Sequence, residues 1–359
     1  MAGQIVPRKG FAVSGAQQVR WCFHGFVDAS LHTLDEVLEE TASRLQAGQG
    51  AGGRLWPTGF EMLDRQLNGG FRAGDLVLLG GPQGIGKTTW ALQTARNVAR
   101  SGRSVVVFSY EHNPQALLVR LVALEAGLIG GVDGPGLIRV RSAFEADDGR
   151  SGSLAERLQD TVGGAQAVEV VRDYASRIVV HASAGSRTTL EVIAELVGQA
   201  EQRTGQPPLV VVDYLQKVRG LDPRRSEDEQ IALVVEGLKD LALERELPVL
   251  AVSAADKPTV ASGKRVRVSN LRGSSALAFE ADTVLVLNDK YDVVARHHLV
   301  YDLANADRFR RWAVLSIEKN RNGRDGVDLE FRKRFEQGLF APDGQLVTEQ
   351  LVDERIFVE

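Results

Sequence analysis

The stretch GPQGIGKTT, residues 81–89, has the residue types and the spacing of a phosphate-binding loop, G-x-x-x-x-G-K-[ST]. In such a loop the glycines let backbone N–H groups surround phosphates, Lys87 neutralises charge on the β- and γ-phosphates, and the Thr88 hydroxyl can bind Mg²⁺. The motif needs a strand before it and a helix after it, and DLVLLG (75–80) and TTWALQTARNVAR supply that context. We therefore predict a nucleotide site formed by Gly81, Pro82, Gln83, Gly84, Ile85, Gly86, Lys87, Thr88 and Thr89.

Two acidic residues that follow apolar runs fit the same chemistry. Asp213 ends the run LVVVD, where a carboxylate is costly unless it meets a cation, so we predict that it binds Mg²⁺ together with Thr88. Glu111 follows the run SVVVFSY and is a candidate general base for an attacking water molecule. The alternative for each is structural, because either carboxylate could simply cap the turn or helix that follows its strand.

A cluster of cations, EKNRNGRDG, follows the apolar run WAVLSI. The pair Asn322-Gly323 favours a tight type I′ hairpin turn, which needs two residues with positive φ. Lys319 and Arg321 would then lie at the tip of a stiff hairpin, facing an anion. A solvated hairpin tip is the alternative interpretation.

A second basic segment, residues 257–273, contains Lys257, Lys264, Arg265, Arg267 and Arg272. The formal net charge of the chain is −4, which excludes a nucleic-acid binder driven by bulk charge but not a local basic groove. The segment is therefore a candidate surface for an anionic partner, with a solvated surface as the alternative.

These candidate residues must be positioned by an α/β fold. Short apolar runs alternate with helical patterns along the chain, and the runs are continuously apolar, which indicates strands buried on both faces of a mainly parallel sheet. The predicted strands lie in residues 75–80, 104–111, 176–183, 209–215, 248–254, 282–288 and 312–318.

The chain before this domain divides into two parts. Residues 1–30 lack a clear period and are predicted to be an N-terminal arm, and residues 31–53 are predicted to be an amphipathic linker helix and a glycine-rich flexible linker. The domain that contains the phosphate-binding loop would occupy residues 54–359. The apolar stripe of the helix has no core of its own, so we expect it to dock on a neighbouring subunit, the alternative being its own domain.

The composition indicates a soluble globular protein, with 43% hydrophobic and 25% charged residues in 359. Its one cysteine, Cys22, cannot form an internal disulfide, which fits a reducing compartment. We find neither a signal peptide nor a run of about 18 apolar residues. We therefore expect a cytoplasmic protein with no membrane partner.

The order and spacing of the motifs resemble the RecA-type motor domain of DnaB-like replicative helicases over about residues 54–340. The resemblance rests on PTGFEMLD, GPQGIGKTT, SYE, VVVDYLQ, LALERELPVLAVS, NLRGSSALAFEADTVLVL and EKNRNG. It implies a RecA-like fold, ATP and Mg²⁺ as ligands, a hexameric ring and single-stranded DNA as partner. It also implies that Lys319 and Arg321 are the lysine and arginine finger that reach the next subunit's nucleotide. By the same resemblance, the basic segment contacts the phosphate backbone of single-stranded DNA through Lys264, Arg265, Arg267, Arg272 and Gly273, the last two at positions that match the family.

Three departures from that family qualify the functional prediction. Ala254 stands where the family has a glutamine that links the γ-phosphate to the DNA loops, and Gly273 stands where it has an acidic residue. Only about 30 residues precede the linker helix, so we expect no primase-binding domain. We therefore predict an ATP-hydrolysing ring helicase or translocase on single-stranded DNA, with a nucleotide-dependent assembly or regulatory switch as the alternative.

Overall fold

A computed structural model describes residues 33–47, 55–145, 149, 151–185, 187–219, 225–255, 264–300 and 303–354. The predicted N-terminal arm, residues 1–30, lies outside the described residues. So do Lys257 and most of the predicted flexible linker.

A ten-stranded sheet forms the centre of the domain, in the order β11-β10-β9-β8-β3-β7-β6-β4-β5, with β12 paired to β10. The strands from β8 to β5 in this order are parallel, and β9, β10, β11 and β12 run antiparallel to their neighbours. This confirms the mainly parallel α/β fold. The strands are β3 (Leu76–Gly80), β4 (Val105–Ser109), β5 (Ile178–Ala182), β6 (Leu209–Asp213), β7 (Val249–Val252), β8 (Thr283–Asp289), β9 (Trp312–Asn320), β10 (Val327–Arg334), β11 (Leu339–Phe340) and β12 (Gln345–Leu346), while β1 (Leu55–Trp56) and β2 (Phe71–Arg72) form a separate ribbon.

Helices cover both faces of this sheet. The helices in the described residues are α1 (Leu34–Gln46), α2 (Glu61–Gln66), α3 (Lys87–Arg100), α4 (Pro114–Gly130), α5 (Leu137–Glu145), α6 (Leu154–Arg157), α7 (Gly164–Ala175), α8 (Leu190–Thr204), α9 (Glu227–Glu244), α10 (Ser274–Glu280), α11 (Lys290–Val293), α12 (His297–Val300) and α13 (Leu303–Arg310); of these, α1 has no buried residue and takes no part in covering the sheet. Alternate residues of β3 enter two cores: Val77 and Leu79 pack with α3, α4 and α7, and Leu76 and Leu78 pack with α8, α9 and α10. Burial on both faces is the reason why the parallel strands are continuously apolar.

Helix α4 meets a general criterion of length and composition for membrane-spanning helices, although Arg120 and Glu125 interrupt its apolar sequence. Among the described residues, Pro114–Asp133 meets that criterion by length and composition, and half of its most apolar window is buried inside the domain. The bidentate ion pair between Arg96 of α3 and Glu125 of α4, at 2.5–2.6 Å, lies in this buried region. The apolar side chains of α4 therefore have a role in the core.

The predicted linker helix forms, as α1, but none of its side chains belongs to either core of the described domain. Thr33 and Glu36 make a capping box at its start, and Arg44 pairs with Glu40 near its end. None of its residues is buried, and Leu34 and Leu38 are 88% and 66% exposed. These local interactions account for the helix, and its apolar stripe remains uncovered by the described part of the chain.

The connection between β9 and β10 is not the predicted two-residue type I′ turn. Residues 321–326 connect the strands, and the positive φ belongs to Gly326 (69°) rather than to Asn322 or Gly323. The Asn322 side chain donates to the Asp75 carboxylate at 3.2 Å, and its carbonyl accepts from Asn68 at 2.8 Å. The asparagine therefore anchors a wider loop to the body of the domain, and this tertiary contact overrides the local turn preference.

Candidate functional site

The phosphate-binding loop lies between β3 and α3, as its sequence predicts. Gly81 has φ 143°, and a Cβ atom there would lie 2.4 Å from the Leu287 carbonyl oxygen. Gly86 has φ 96°, and a Cβ atom there would meet the Phe335 ring at 2.7 Å. Both positions therefore require glycine, because other segments of the same chain approach them closely. Residues 83–84, at the tip of the loop, are exposed.

Lys87 folds back over the loop that precedes it. Its Nζ donates hydrogen bonds to the carbonyl oxygens of Gly81 and Pro82, both at 2.8 Å. Burial lowers the pKa of Lys87 to about 8, and the nearby charges of Asp213 and Glu111 oppose that shift. The ammonium group is therefore held at the loop by interactions that a phosphate can replace.

Asp213 lies beside Thr88 at the carboxyl end of β6. Asp213 is 5% exposed, and burial raises its pKa to about 6, while a hydrogen bond with the Thr88 side chain opposes the shift. Because β4 and β6 are in register at Ser109 and Asp213, Glu111 approaches the same place and its charge further raises the pKa of Asp213. The sheet thus brings Lys87, Thr88, Asp213 and Glu111 together at one edge, the edge where the parallel strands end.

The residues at this edge suit Mg²⁺ bound to a nucleotide. A buried carboxylate next to a hydroxyl provides hard oxygen ligands, and Mg²⁺ bound to nucleotides keeps phosphate and water oxygens as its other ligands. Among the described residues, no group of three or more His, Cys, Asp or Glu side chains could hold a metal ion. Thr88 and Asp213 would hold the ion together with the phosphates of a bound nucleotide.

We expect the affinity for a magnesium–nucleotide complex to be highest between about pH 6 and pH 8. Below the Asp213 pKa of about 6 the carboxyl group is protonated and loses its affinity for the metal. Above the Lys87 pKa of about 8 the lysine loses the charge that attracts phosphate. Titration of a fluorescent ADP analogue across this range measures both limbs. With EDTA in place of Mg²⁺ the acid limb should disappear and the alkaline limb should persist; an acid limb that survives EDTA contradicts the assignment of Asp213.

Arg120 and Arg141 add positive charge at this edge that the sequence patterns did not reveal. The charge of Arg120, on α4, partly offsets the burial that raises the pKa of Asp213. Burial lowers the pKa of His112, next to Glu111, and both arginines lower it further. Helical periodicity does not predict which polar residue of a helix lies next to the end of a strand. The sequence therefore did not indicate that Arg120, nine residues after Glu111, lies near Asp213.

Gln216, the last residue of the motif VVVDYLQ, was not among the predicted site residues. It follows β6, and its side-chain amide donates to Ser253 Oγ at 2.9 Å and accepts from the Ala254 N–H at 3.1 Å. The end of the strand that carries Asp213 is therefore tied to the end of β7. The alanine side chain at position 254 cannot form hydrogen bonds, and the hydrogen bonds that join the ends of β6 and β7 here come from the side chain of Gln216.

Lys319 and Arg321 lie at the edge of the sheet where the parallel strands begin, and the phosphate-binding loop lies at the opposite edge, where those strands end. The Arg321 N–H bonds to the Asp282 carbonyl, whereas Gly81 lies at the level of Leu287. About 17 Å of extended strand separates these two levels, at roughly 3.3 Å per residue. The Arg321 guanidinium pairs with the Asp282 carboxylate at 3.1 Å, so within one chain the two halves of the predicted site stay apart.

The predicted DNA-contacting residues are not the free basic surface that the sequence suggested. Arg265 is 5% exposed and pairs with Asp328 at 2.5 Å, which corrects the expectation that it reaches DNA. The other three described cations of the segment pair with acidic residues that are distant in sequence, which is why local composition did not reveal them. These pairs are Lys264 with Glu354, Arg267 with Glu318 and Asp353, and Arg272 with Glu227.

Gly273 has a steric reason to be glycine. It is the N-cap residue of α10 with φ 76°, and a Cβ atom there would lie 2.5 Å from Ile231 Cγ2. An acidic side chain at this position would clash with α9. The departure at Gly273 therefore follows from how closely α9 and α10 pack.

Comparisons of the chain with family models and with known proteins point to the same family. The family model described as the DnaB-like helicase C terminal domain matches residues 56–338. The chain is 32% identical over 291 residues to the replicative DNA helicase DnaB of Rhodothermus marinus, covering 79% of this chain and 27% of that protein. It is 27% identical over 317 residues to the replicative DNA helicase DnaC of Bacillus subtilis, covering 86% of this chain and 62% of that protein. The chain thus spans only part of the length of these relatives.

Solved structures show the same fold. One of them, an isolated ATPase domain, superposes with a TM-score of 0.67 at 23% sequence identity, covering 87% of this chain and 99% of that one. A DnaB-like replicative helicase whose structure was determined with attention to its interactions with primase superposes with a TM-score of 0.64, covering 87% and 67% of the two chains.

Proposed function

Because this chain belongs to the DnaB-like helicase C-terminal domain family, we propose that it is an ATP-hydrolysing ring helicase or translocase that acts on single-stranded DNA. The observation that carries the proposal is the placement of the candidate site at two opposite edges of one sheet. The phosphate-binding loop lies at one edge and Arg321 at the other. A complete site therefore needs a second subunit, as in a ring whose neighbours meet head to tail.

The side chains at the phosphate edge have distinct tasks in this proposal. The loop N–H groups and Lys87 bind the β- and γ-phosphates, and Thr88 and Asp213 orient the metal. Mg²⁺, when bound, neutralises phosphate charge. Glu111, exposed at the end of β4, accepts the proton of the attacking water.

The neighbouring subunit supplies the remaining charges. Its Arg321 and Lys319 stabilise the charge that develops on the transferred phosphoryl group. Within its own chain Arg321 pairs with Asp282, and the Arg321 side chain is still 47% exposed. The Arg321 guanidinium can therefore contact a second anion while it keeps its ion pair with Asp282.

Helix α1 supports the proposed assembly. Its apolar stripe is exposed over Leu34, Val37, Leu38 and Leu45, at 44–88% of their surfaces. A helix with an uncovered stripe of this kind gains stability only when another surface covers it. We propose that a neighbouring subunit provides that surface.

We expect the double substitution Leu34→Asp and Leu38→Asp to shift the protein from rings toward smaller species. Each aspartate places a charge where an apolar contact would form, at a cost of about 1.5–3 kcal/mol per lost side chain. Native mass spectrometry over a range of concentrations measures the shift. Glu39→Gln on the same helix is the control and should leave the mass unchanged; rings that persist in the double variant would mean that α1 does not hold subunits together.

The DNA part of the proposal now rests on Lys264, Arg267 and Arg272, whose side chains remain 44%, 37% and 34% exposed. If they exchange their acidic partners for DNA phosphates, replacing all three with alanine should weaken single-strand binding about equally for all sequences. The log–log salt slope should fall by roughly 0.7 for each lost contact. Basal ATPase activity should persist, and stimulation by DNA should disappear. Arg310→Ala, which removes a 59% exposed arginine, is the control.

The decisive experiment for the function is ATPase activity of the purified protein with and without single-stranded DNA, run beside native mass spectrometry. The proposal requires a ring, and turnover that DNA accelerates. A ring with no salt-sensitive single-strand binding would reject the helicase function.

The alternative function is a nucleotide-dependent switch that controls assembly without unwinding DNA. Two observations favour it: the cations in residues 264–272 are paired with carboxylates, and Ala254 lacks the coupling side chain. In that case ATP should change the oligomeric mass, and DNA should change neither mass nor turnover.

A further inference from the structure

Phe279 has an unusual position for its residue type. Its side chain is 74% exposed at the end of α10 and contributes nothing to the core of its own subunit. Aromatic rings are enriched at protein interfaces, where they act as binding anchors. By contrast, six other phenylalanines among the described residues are buried at 0–1% exposure, namely Phe60, Phe71, Phe108, Phe309, Phe331 and Phe340.

The backbone of Phe279 is in contact with both proposed finger residues. Its carbonyl oxygen accepts from Arg321 Nη2 at 2.8 Å and from Lys319 Nζ at 3.1 Å. Lys319 also bonds the neighbouring Ala278 carbonyl at 2.8 Å. The two cations therefore cap the last turn of α10, favourably for the helix dipole, and the exposed aromatic side chain projects from that same turn.

From this juxtaposition we propose that Phe279 is the apolar anchor of the contact between subunits at the finger, and that it packs on the phosphate-loop edge of a second copy of this chain. This inference rests on the proposed ring. If Arg321 reaches a neighbour's nucleotide, the turn that carries Phe279 must reach the same edge, because the two residues are joined by a hydrogen bond. The partner's phosphates complement the two cations, and an aromatic side chain beside them excludes water, which strengthens charge interactions.

The receiving edge offers an apolar surface for this side chain. Phe335 is half-buried, and its ring lies against Gly86 of the phosphate-binding loop and edge-on to Phe340 at 5.3 Å between centroids. We assign this edge, around Phe335, as the surface that Phe279 covers. Phe279 would then link subunit assembly to the region of the nucleotide.

The variants Phe279→Ala and Phe279→Glu test the anchor without disturbing the fold, because the side chain is exposed. We expect the concentration for half-maximal assembly, from native mass spectrometry, to rise about tenfold or more for the alanine variant and further for glutamate. Turnover should fall with it at low protein concentration. Leu346→Ala, which removes a 50% exposed apolar side chain from β12, is the matched control and should assemble normally.

A photo-crosslinking amino acid at position 279 tests the location of the contact. Crosslinks should join two chains and map to residues 81–88 or 333–340 of the second chain. Normal assembly of both Phe279 variants, or crosslinks that map to another surface, would overturn the inference and leave the proposed ring standing. A parent protein that is monomeric at all concentrations would overturn the proposed function itself, together with this anchor.

Discussion

Replacement of Lys87 by alanine should remove nearly all nucleotide turnover, by roughly a hundredfold or more. The Lys87 ammonium is held over the phosphate-binding loop by the carbonyls of Gly81 and Pro82. A charge-assisted bond to phosphate in a protected site contributes several kcal/mol, and more as charge develops during transfer. Steady-state phosphate release, compared with the parent protein at saturating ATP, measures the loss.

The control for this experiment is Arg65→Ala, which removes a 64% exposed cation from an ordinary surface ion pair. Such pairs contribute little, typically about 0–1 kcal/mol, so turnover should stay near that of the parent. Thermal unfolding should confirm that the Lys87 variant remains folded. Near-normal turnover in a folded Lys87→Ala protein would reject the site.

Replacement of Arg321 by alanine should also reduce turnover by orders of magnitude, although Arg321 lies at the far edge of its own subunit. The reason is that an arginine finger stabilises the charge that develops on the transferred phosphoryl group of the neighbour's nucleotide. Nucleotide binding should change far less than turnover, because the phosphate-binding loop stays intact. Parallel measurements of phosphate release and of nucleotide affinity separate the two effects.

Mixing two inactive variants gives the sharpest test of a site shared between subunits. A Lys87→Ala subunit keeps its finger, and an Arg321→Ala subunit keeps its phosphate-binding loop. In rings mixed at random in equal amounts, roughly a quarter of the interfaces combine an intact loop with an intact finger, because each is contributed by half of the subunits. Activity should reappear on mixing. A mixture that stays inactive although mixed rings form would contradict sharing between neighbours.

The class of fold and the phosphate edge of the candidate site could be predicted without coordinates. Continuous apolar runs required strands buried on both faces, and each predicted run became a strand of the sheet. The spacing from Gly81 to Thr88 and the strand-end positions of Glu111 and Asp213 placed these residues at one edge, because the carboxyl ends of parallel strands meet there. Such periodic and local signals do not depend on distant contacts.

Which charges are free, in contrast, depends on contacts between distant parts of the chain. Arg265 looked like a DNA contact in its local sequence, yet Asp328 holds it in a buried pair. The Asn322-Gly323 pair predicted a tight turn, yet Asp75 and Asn68 hold Asn322 in a wider loop. In both cases a tertiary partner outweighs the preference of the local residues.

The direction of individual side chains is likewise a property of the packed fold. The roles of Arg120, Gln216 and Phe279 depend on which side of a helix or strand end faces a neighbour, and no periodicity encodes that choice. The antiparallel pairing of β8 with β9 places Arg321 at the edge away from its own phosphate-binding loop. Long-range packing determines these directions, because the orientation of each side chain depends on the helix or strand that packs next to it.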